Sequence, residues 1–143
     1  MKISPYIRKI QFYETDQMGI VHHSNYIRWF EEARVDFMEQ MGFNYERSMS
    51  FGVDIAVLGV SCEYKSMFRF GDFARITAKI TLLTPSRMAI SYEIHDHATG
   101  QLRTVGESRH CYVSHKKLRP VSLKKEIPEL YGIFEGLVGN AHR

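Results

Sequence analysis

The chain has 143 residues, 44% of them hydrophobic and 13% aromatic, which is enough for one compact core without disulfides or a structural metal. The formal net charge of +3, from 19 basic and 16 acidic residues, gives no argument for nucleic acid as a partner. The longest apolar run, residues 55–60, is too short to span a membrane, and the first residues contain no apolar segment typical of a secretory signal. We therefore expect a single cytoplasmic domain over residues 1–143, with a C-terminal tail over about 120–143.

The first part of the chain predicts a strand, a polar loop and a long helix. Residues 6–13 have the pattern of a strand, and residues 14–23 form a polar loop that contains a glycine. Ser24 is the predicted N-cap, because its hydroxyl can accept a backbone N–H, and Gly42 is the predicted stop. Trp29, Val35 and Met38 widen the apolar stripe, so we expect the helix to be buried over most of its circumference. The stripe itself has three- and four-residue spacing: Tyr26, Phe30, Ala33, Phe37 and Met41.

The rest of the chain predicts mostly strands. A short helical turn over 45–50 is followed by strands over 53–67, 73–83, 88–94 and 102–114, and the short turns between them imply antiparallel neighbours. Cys62 and Cys111 lie in these strands without CxxC spacing, as expected of reduced core residues. The tail predicts an amphipathic helix that begins after Pro120 or near Pro128. The sheet needs a cover for its apolar face, so we predict an α+β fold in which a curled five-stranded antiparallel sheet wraps the long helix.

One segment resembles a known family signature. The sequence ETDQMGIVHHSNYIRWFEEAR, which begins at residue 14, is similar to the signature of hotdog-fold acyl-CoA thioesterases. The nearest group is the 4-hydroxybenzoyl-CoA thioesterase family with its Tol-Pal-associated branch, and the resemblance spans about residues 6–118. That branch often has a tyrosine four residues before the aspartate, where this chain has Phe12. The residues that match the family pattern in order are Asp16, Gly19, Val21, His22, His23, Tyr26, Phe30 and Glu31.

The chemistry of thioester hydrolysis fits this segment. The first N–H groups of a helix are unpaired and carry partial positive charge, so the amide of His23 or its neighbours could stabilise the oxyanion that forms when a carbonyl is attacked. Asp16 lies seven residues earlier, and Gly19 lets the backbone between them fold back. The resemblance implies that Asp16 is the nucleophile or the general base for a water, and that His23 orients it or moves a proton.

The resemblance also implies a reaction and its partners. An acyl-CoA would be hydrolysed to the free acid and CoA with no metal or redox cofactor, in a homodimer or homotetramer whose site lies at a subunit interface. Acyl carrier protein is a possible further partner. The basic segment SHKKLRP at residues 114–120 could meet the phosphates of CoA or could be a solvated strand end. The expected substrate-binding residues are Gly19, His22, Tyr26, Lys65, Arg87, Lys117 and Arg119.

Each of these residues can also be interpreted in a simpler way. Without its matching neighbours, Asp16 would be an ordinary turn residue, and Ser24 lacks the context of a nucleophile elbow. Glu31 is the second candidate for the catalytic carboxylate, because another hotdog branch uses a helix carboxylate. A metal site using His95, His97, His110 or His115 is an open alternative that their spacing does not support, although His95 and His97 share one face at a strand end. The alternative function is a non-catalytic acyl-CoA or acyl-carrier-protein binding protein, and a hydratase of the same fold is a weaker third.

Overall fold

The computed structural model describes residues 1–139 as one five-stranded antiparallel sheet with helices packed on it. Residues 140–143 of the predicted tail lie outside this range. The strands occur in the order β1-β3-β4-β5-β2, so β1 and β2 form the two edges. The strands are β1 Tyr6–Lys9, β2 Val53–Tyr64, β3 Phe73–Leu83, β4 Arg87–Asp96 and β5 Leu102–Ser114, and the helices are α1 Ser24–Gln40, α2 Tyr45–Ser50, α3 Leu123–Glu126 and α4 Pro128–Leu137.

Helix α1 lies against the inner face of the sheet, as the sequence predicts. Tyr26, Trp29 and Phe30 are fully buried, and Gly106 of β5 leaves the space that the Phe30 ring fills. The helix is less enclosed than predicted, because Ile27 and Val35 are 41% and 49% exposed. These two residues leave an apolar strip of α1 uncovered within the described chain.

Several predicted boundaries differ from the structure. Strand β4 begins one residue before and ends two residues after the predicted 88–94, and α1 ends one residue early, at Gln40. Three further differences have local reasons. Strand β1 ends at Lys9, and residues 12–14 form a short 3-10 turn because the Glu14 carboxylate accepts the backbone N–H of Gln11. Strand β2 ends at Tyr64, where the next two backbone N–H groups both turn to the Arg103 carbonyl. The tail contains two helices, α3 and α4, where the sequence predicts one.

The tail closes one end of the core. The Ser122 hydroxyl caps α3 by accepting the N–H of Lys125, and Pro128 occupies the first turn of α4, where its missing N–H costs nothing. Phe134 of α4 is 1% exposed, and the Gly139 N–H donates to the Ile80 carbonyl of β3. The C-terminal helices thus belong to the core. No helix within residues 1–139 has the length and apolar character that would carry it across a bilayer.

Candidate active site

The loop before α1 is a tight hairpin with Asp16 at its start. Thr15 and Val21 form an isolated antiparallel bridge, and the Asp16 N–H donates to the Ile20 carbonyl over 2.8 Å. Gly19 has φ +78°, a conformation that side chains rarely tolerate, so glycine is the residue that allows this reversal. The loop therefore returns the chain to the core directly before the helix begins.

Within this loop the Asp16 side chain is half buried, and one of its two carboxylate oxygens is hydrogen-bonded. Its Oδ1 accepts the N–H of Met18 over 2.8 Å, which is an ordinary Asx turn. Within residues 1–139, the other carboxylate oxygen has no hydrogen-bond partner. One oxygen of Asp16 thus holds the loop while the second can act on a ligand.

Glu14, which is not among the site residues predicted from the sequence, ties this loop to α1. Its carboxylate accepts hydrogen bonds from Arg8 Nη1 (2.7 Å), the Gln11 N–H (2.8 Å) and the indole N–H of Trp29 (2.8 Å). Burial alone would raise the pKa of Glu14, but these three donors outweigh it and hold the pKa below its ordinary value. The only tryptophan of the chain, Trp29, is therefore fixed against an ionised carboxylate.

The backbone of Glu14 continues this connection. Its carbonyl accepts the His22 N–H over 2.9 Å and the side-chain amide of Asn25 over 2.9 Å. Asn25 is 7% exposed and lies in the first turn of α1. The start of the loop, its end and the helix entrance therefore share one acceptor, which fixes their relative positions.

The backbone amide of His23 lies at the helix entrance. The helix begins at Ser24, and its N-cap residue, His23, makes no side-chain capping hydrogen bond, contrary to the prediction that Ser24 is the cap. The Ser24 N–H and hydroxyl both reach Nδ1 of His22 (3.2 and 2.8 Å), and the Asn25 N–H donates to the His22 carbonyl. Among residues 1–139, no acceptor takes the N–H of His23. This amide matches the predicted position of an oxyanion donor.

The two histidines at the entrance lie ring to ring. The rings of His22 and His23 are 4.2 Å apart, and both residues are exposed. Because the Ser24 N–H can only donate, Nδ1 of His22 is an acceptor, and the proton of neutral His22 lies on Nε2. The structure contains no hydrogen bond between His23 and Asp16. The His23 carbonyl accepts the hydroxyl of Tyr64, which fixes the entrance to the end of β2.

The other predicted binding residues lie in four separate places. Tyr26 is fully buried, and its hydroxyl accepts the Phe68 N–H at 3.4 Å, so it supports the entrance from inside the core and offers no open surface. Lys65 pairs with Glu63 just beyond the end of β2, and Arg87 is exposed at the start of β4. Lys117 and Arg119 come together in the groove described next.

A basic groove lies at the opposite end of β2 from the helix entrance. Its volume is about 650 Å³, and Lys116, Lys117 and Arg119 supply its positive charge. His115 lies in the same groove and pairs with Asp54 over 2.9 Å. Neither Asp16 nor the histidines of the helix entrance line this groove. Within one chain, the basic groove and the candidate catalytic loop therefore lie at opposite ends of β2.

The comparisons with known proteins agree with this architecture. Residues 10–130 match the model of the Thioesterase-like superfamily. The acyl-CoA thioester hydrolase YbgC of Escherichia coli O157:H7 is 25% identical over 119 residues, covering 83% of this chain and 88% of the relative. The solved DHNA-CoA thioesterase of Staphylococcus aureus has a TM-score of 0.88 at 25% identity, covering 95% of this chain and 91% of that one.

A second solved structure is more similar in sequence. A hypothetical protein of Aquifex aeolicus is 35% identical with a TM-score of 0.81, and the match covers 89% of this chain and 98% of that one. The family match covers most of the chain, and the solved relatives share its sheet and central helix over nearly their whole length. The chain therefore belongs to the Thioesterase-like superfamily and is a hotdog-fold enzyme of the thioesterase class.

Proposed function

We propose that the protein hydrolyses acyl-CoA thioesters to a free carboxylic acid and CoA, with Asp16 as the catalytic carboxylate. The observation that carries this proposal is the unpaired N–H of His23 at the helix entrance, on the same short loop as the free oxygen of Asp16. A donor fixed in that position stabilises negative charge on the thioester oxygen as the carbonyl carbon is attacked. We place the chain, more narrowly, in the 4-hydroxybenzoyl-CoA thioesterase family and its Tol-Pal-associated branch.

The proposed reaction balances with water as the only co-substrate. Acting as a base, Asp16 takes a proton from water while the water oxygen attacks the thioester carbon. The tetrahedral intermediate collapses, the carbon–sulfur bond breaks, and CoA leaves as the thiol after taking up the proton. Acting instead as a nucleophile, Asp16 attacks the thioester carbon, the carbon–sulfur bond breaks, and CoA thiolate leaves a mixed anhydride of Asp16 and the acid. Water then cleaves the anhydride, which releases the acid and regenerates the Asp16 carboxylate, and a proton from that water ends on the CoA thiol. Neither route uses a metal or a redox cofactor. The exposed ring of His23 assists by orienting Asp16 or by moving a proton.

We propose that the active unit is a homodimer joined along the β2 edge. This edge is twelve residues long, and Val57, Leu58 and Val60 are 53%, 44% and 41% exposed on it. A long apolar edge invites pairing with another strand, and a second copy of the same edge is the simplest partner. If two β2 strands pair antiparallel about their midpoint, Val53 of one chain lies opposite Tyr64 of the other.

Such a dimer would bring the two separated halves of the site together. Val53 lines the basic groove, and Tyr64 holds the carbonyl of His23. The groove of one chain would then lie beside the helix entrance of its partner, so Lys117 and Arg119 could hold CoA phosphates while Asp16 of the other chain reaches the thioester. We infer that the enzyme is cytoplasmic and works as a dimer or as a pair of dimers.

The test of the proposed function is Asp16→Asn. Asparagine keeps an oxygen for the Met18 N–H, so the loop should stay folded while the charge is lost. We expect kcat for thiol release from a panel of aliphatic and aromatic acyl-CoA esters to fall by about 10²–10⁴-fold or more. Asp36→Asn, which changes a carboxylate that accepts a hydrogen bond from Gln40 on α1, is the matched control and should leave kcat unchanged.

Two results would contradict the proposal. If the Asp16→Asn protein turned over acyl-CoA at the wild-type rate, Asp16 would not be the catalytic carboxylate, and Glu31 would be the next candidate. A wild-type protein that releases no thiol from any member of the panel, but binds acyl-CoA or acyl carrier protein in a titration, would favour the non-catalytic binding function.

A further inference from the structure

Within a single chain, a second cavity lies away from the candidate catalytic loop, and it shares Met49 and Val53 with the basic groove. Its volume is about 290 Å³, close to the lower end of the ~300–1,000 Å³ range of small-molecule pockets. It is lined by the second half of α1, by α2, by the start of β2, by β3 and β4, and by α4. Neither Asp16 nor His23 contributes to its wall. Most of the lining is apolar, including Phe37, Met38, Phe43, Met49, Met88 and Phe134.

Arg34 is the cation in this apolar lining. Its Nη1 donates to the hydroxyl of Tyr92 over 3.1 Å. Within residues 1–139, no carboxylate oxygen lies within 4.0 Å of the guanidinium, and no other hydrogen bond to it is formed. A guanidinium has five N–H donors and no acceptor, so most of its hydrogen-bonding capacity remains open.

The polar groups next to Arg34 in the core provide no counter-ion for its charge. The Tyr92 hydroxyl lies 2.6 Å from Ser108 Oγ, and Ser108 Oγ lies 2.7 Å from Nε2 of His110. Because Arg34 can only donate, Tyr92 accepts from it and gives its own proton to Ser108. Ser108 and His110 are almost fully buried, and burial, reinforced by the charge of Arg34, lowers the pKa of His110 to about 4. The chain of hydrogen bonds is therefore neutral beyond Arg34 and supplies no counter-ion.

The carboxylate on the cavity wall is occupied elsewhere. Asp54 lines the cavity at the start of β2, but its Oδ2 lies 2.9 Å from Nδ1 of His115 in the basic groove. The distance from Asp54 to Arg34 exceeds that of an ion pair. A positive group with open donors thus faces an apolar space, and an isolated charge in such a place is stabilised by an anion.

We propose that this cavity binds a monocarboxylic acid with an apolar body, whose carboxylate pairs with Arg34 and whose chain or ring packs among the methionine and phenylalanine side chains. The volume corresponds to about ten water-sized groups at ~30 Å³ each, which fits a medium-chain fatty acid or a small aryl acid. The inference goes beyond the proposed function, because binding requires no turnover, although such an acid is also the product of the proposed hydrolysis. The acid could come from that reaction or from free acids in the cell.

The test compares an acid with its neutral analogue. In calorimetric titrations at neutral pH, octanoate should bind the wild-type protein at least about tenfold more tightly than octanamide, because a charge-assisted hydrogen bond contributes ~1.5–3 kcal/mol. Arg34→Met should abolish this preference while leaving octanamide binding unchanged. The matched control is Arg28→Met, an exposed arginine of the same helix, which should bind both compounds as the wild type does.

A second measurement needs no variant in the cavity. In the wild-type protein with labelled methionine methyl groups, octanoate should shift the signals of Met38, Met49 and Met88 and leave those of Met18 and Met67 in place. Equal affinity for octanoate and octanamide, or undetectable binding of octanoate, would overturn the proposal. Shifts confined to Met18 and Met67 would do the same. Repeating the titration with Asp16→Asn should give the same affinity, so an error in the proposed catalytic residue does not affect the result.

Two additional arms identify the source of the ligand. If the cavity receives the product directly, turnover of octanoyl-CoA by the wild-type protein should still produce the methionine shifts when excess serum albumin traps free octanoate in solution, and Asp16→Asn should not. If the cavity takes acids only from solution, albumin should remove the shifts after turnover as it removes those of added octanoate, in both proteins.

Discussion

Glu14 connects the catalytic loop to the core through one side chain and one carbonyl. Its carboxylate is 5% exposed and holds Arg8, the Gln11 amide and Trp29, and its carbonyl holds His22 and Asn25. A buried carboxylate with this many donors is costly to change, because each donor it releases stays buried. The position of Asp16 thus depends on a residue two places before it that touches no substrate.

We predict that Glu14→Gln destabilises the protein and weakens the site. Glutamine loses the charge that faces Arg8, so the free energy of unfolding in urea should fall by about 2–3 kcal/mol and kcat should fall with it. The stabilisation from an ionised Glu14 is present above its ordinary pKa of 4.5 and is lost as pH falls through the lowered pKa of the folded state. The difference between the two proteins should therefore be large at neutral pH and shrink in acid.

The control for Glu14→Gln is Glu63→Gln. Glu63 pairs with Lys65 at 3.4 Å on the surface, where its side chain is 71% exposed, so its loss should change stability by less than about 0.5–1 kcal/mol. Equal effects of the two substitutions would show that the Glu14 connections contribute no more than a surface pair.

The contact between α1 and the sheet depends on a glycine in β5. A Cβ atom at Gly106 would lie 2.6 Å from Cε2 of Phe30 and 2.8 Å from the Ser61 carbonyl oxygen, both well inside ordinary contact. The Phe30 ring also stacks on Tyr92, with centroids 4.2 Å apart, so it has little room to move. This glycine sets how closely the helix approaches the curled sheet.

We predict that Gly106→Ala lowers stability by about 1–3 kcal/mol, as other overpacked cores do. Thermal unfolding followed by circular dichroism would measure the change. Gly132→Ala in α4 is the comparison, since no atom lies within 4 Å of its added Cβ and alanine favours a helix. A Gly106→Ala protein as stable as the wild type would mean that the helix can move away from the sheet at little cost.

Most elements could be predicted from the sequence because their patterns are long and regular. The limits of β3 and β5 and of α2 agree with the structure to the residue, and α1 differs by one residue at its end. The hotdog fold and membership of the Thioesterase-like superfamily are confirmed, and the narrower assignment to the 4-hydroxybenzoyl-CoA thioesterase family stays a prediction. The end of β1 could not be predicted, because the 3-10 turn after it depends on where the Glu14 carboxylate points, and side-chain direction leaves no periodic signal.

The site was only partly predictable for a similar reason. The order of Asp16, Gly19 and His23 along the chain predicts a loop at a helix entrance, and the structure contains that loop. Glu14 could not be predicted, because an acidic residue before a loop is common in sequences. One of the residues that donate to it, Trp29, lies fifteen residues later in the chain. The roles of Asp16 and His23 in catalysis stay predictions, as do those of Lys65, Arg87, Lys117 and Arg119 in binding CoA.

At the scale of the whole molecule, the separation of the basic groove from the catalytic loop makes the dimer testable. In the proposed assembly each site takes Asp16 from one chain and Lys117 and Arg119 from the other. A hybrid of an Asp16→Ala chain and a Lys117→Ala/Arg119→Ala chain would then contain one site with both defects and one site with neither.

We predict that mixing these two inactive proteins after mild unfolding and refolding restores activity to about a quarter of the wild-type value, since random pairing makes half of the dimers hybrids with one intact site each. Thiol release after mixing is the measurement, with each variant refolded alone as the control. No recovery, in a mixture shown by mass spectrometry to contain hybrids, would mean that each chain supplies both parts of its own site.

The single indole of Trp29 gives the molecule an internal optical reporter. Because tryptophan occurs once in the chain, emission excited selectively in indole comes from one place, beside the Glu14 carboxylate and 4.9 Å from the Arg8 guanidinium. Any event that loosens the catalytic loop alters the charges around that fluorophore. The ordering of the loop by a ligand can therefore be followed in real time in the unlabelled protein, without a dye whose bulk would disturb the helix entrance.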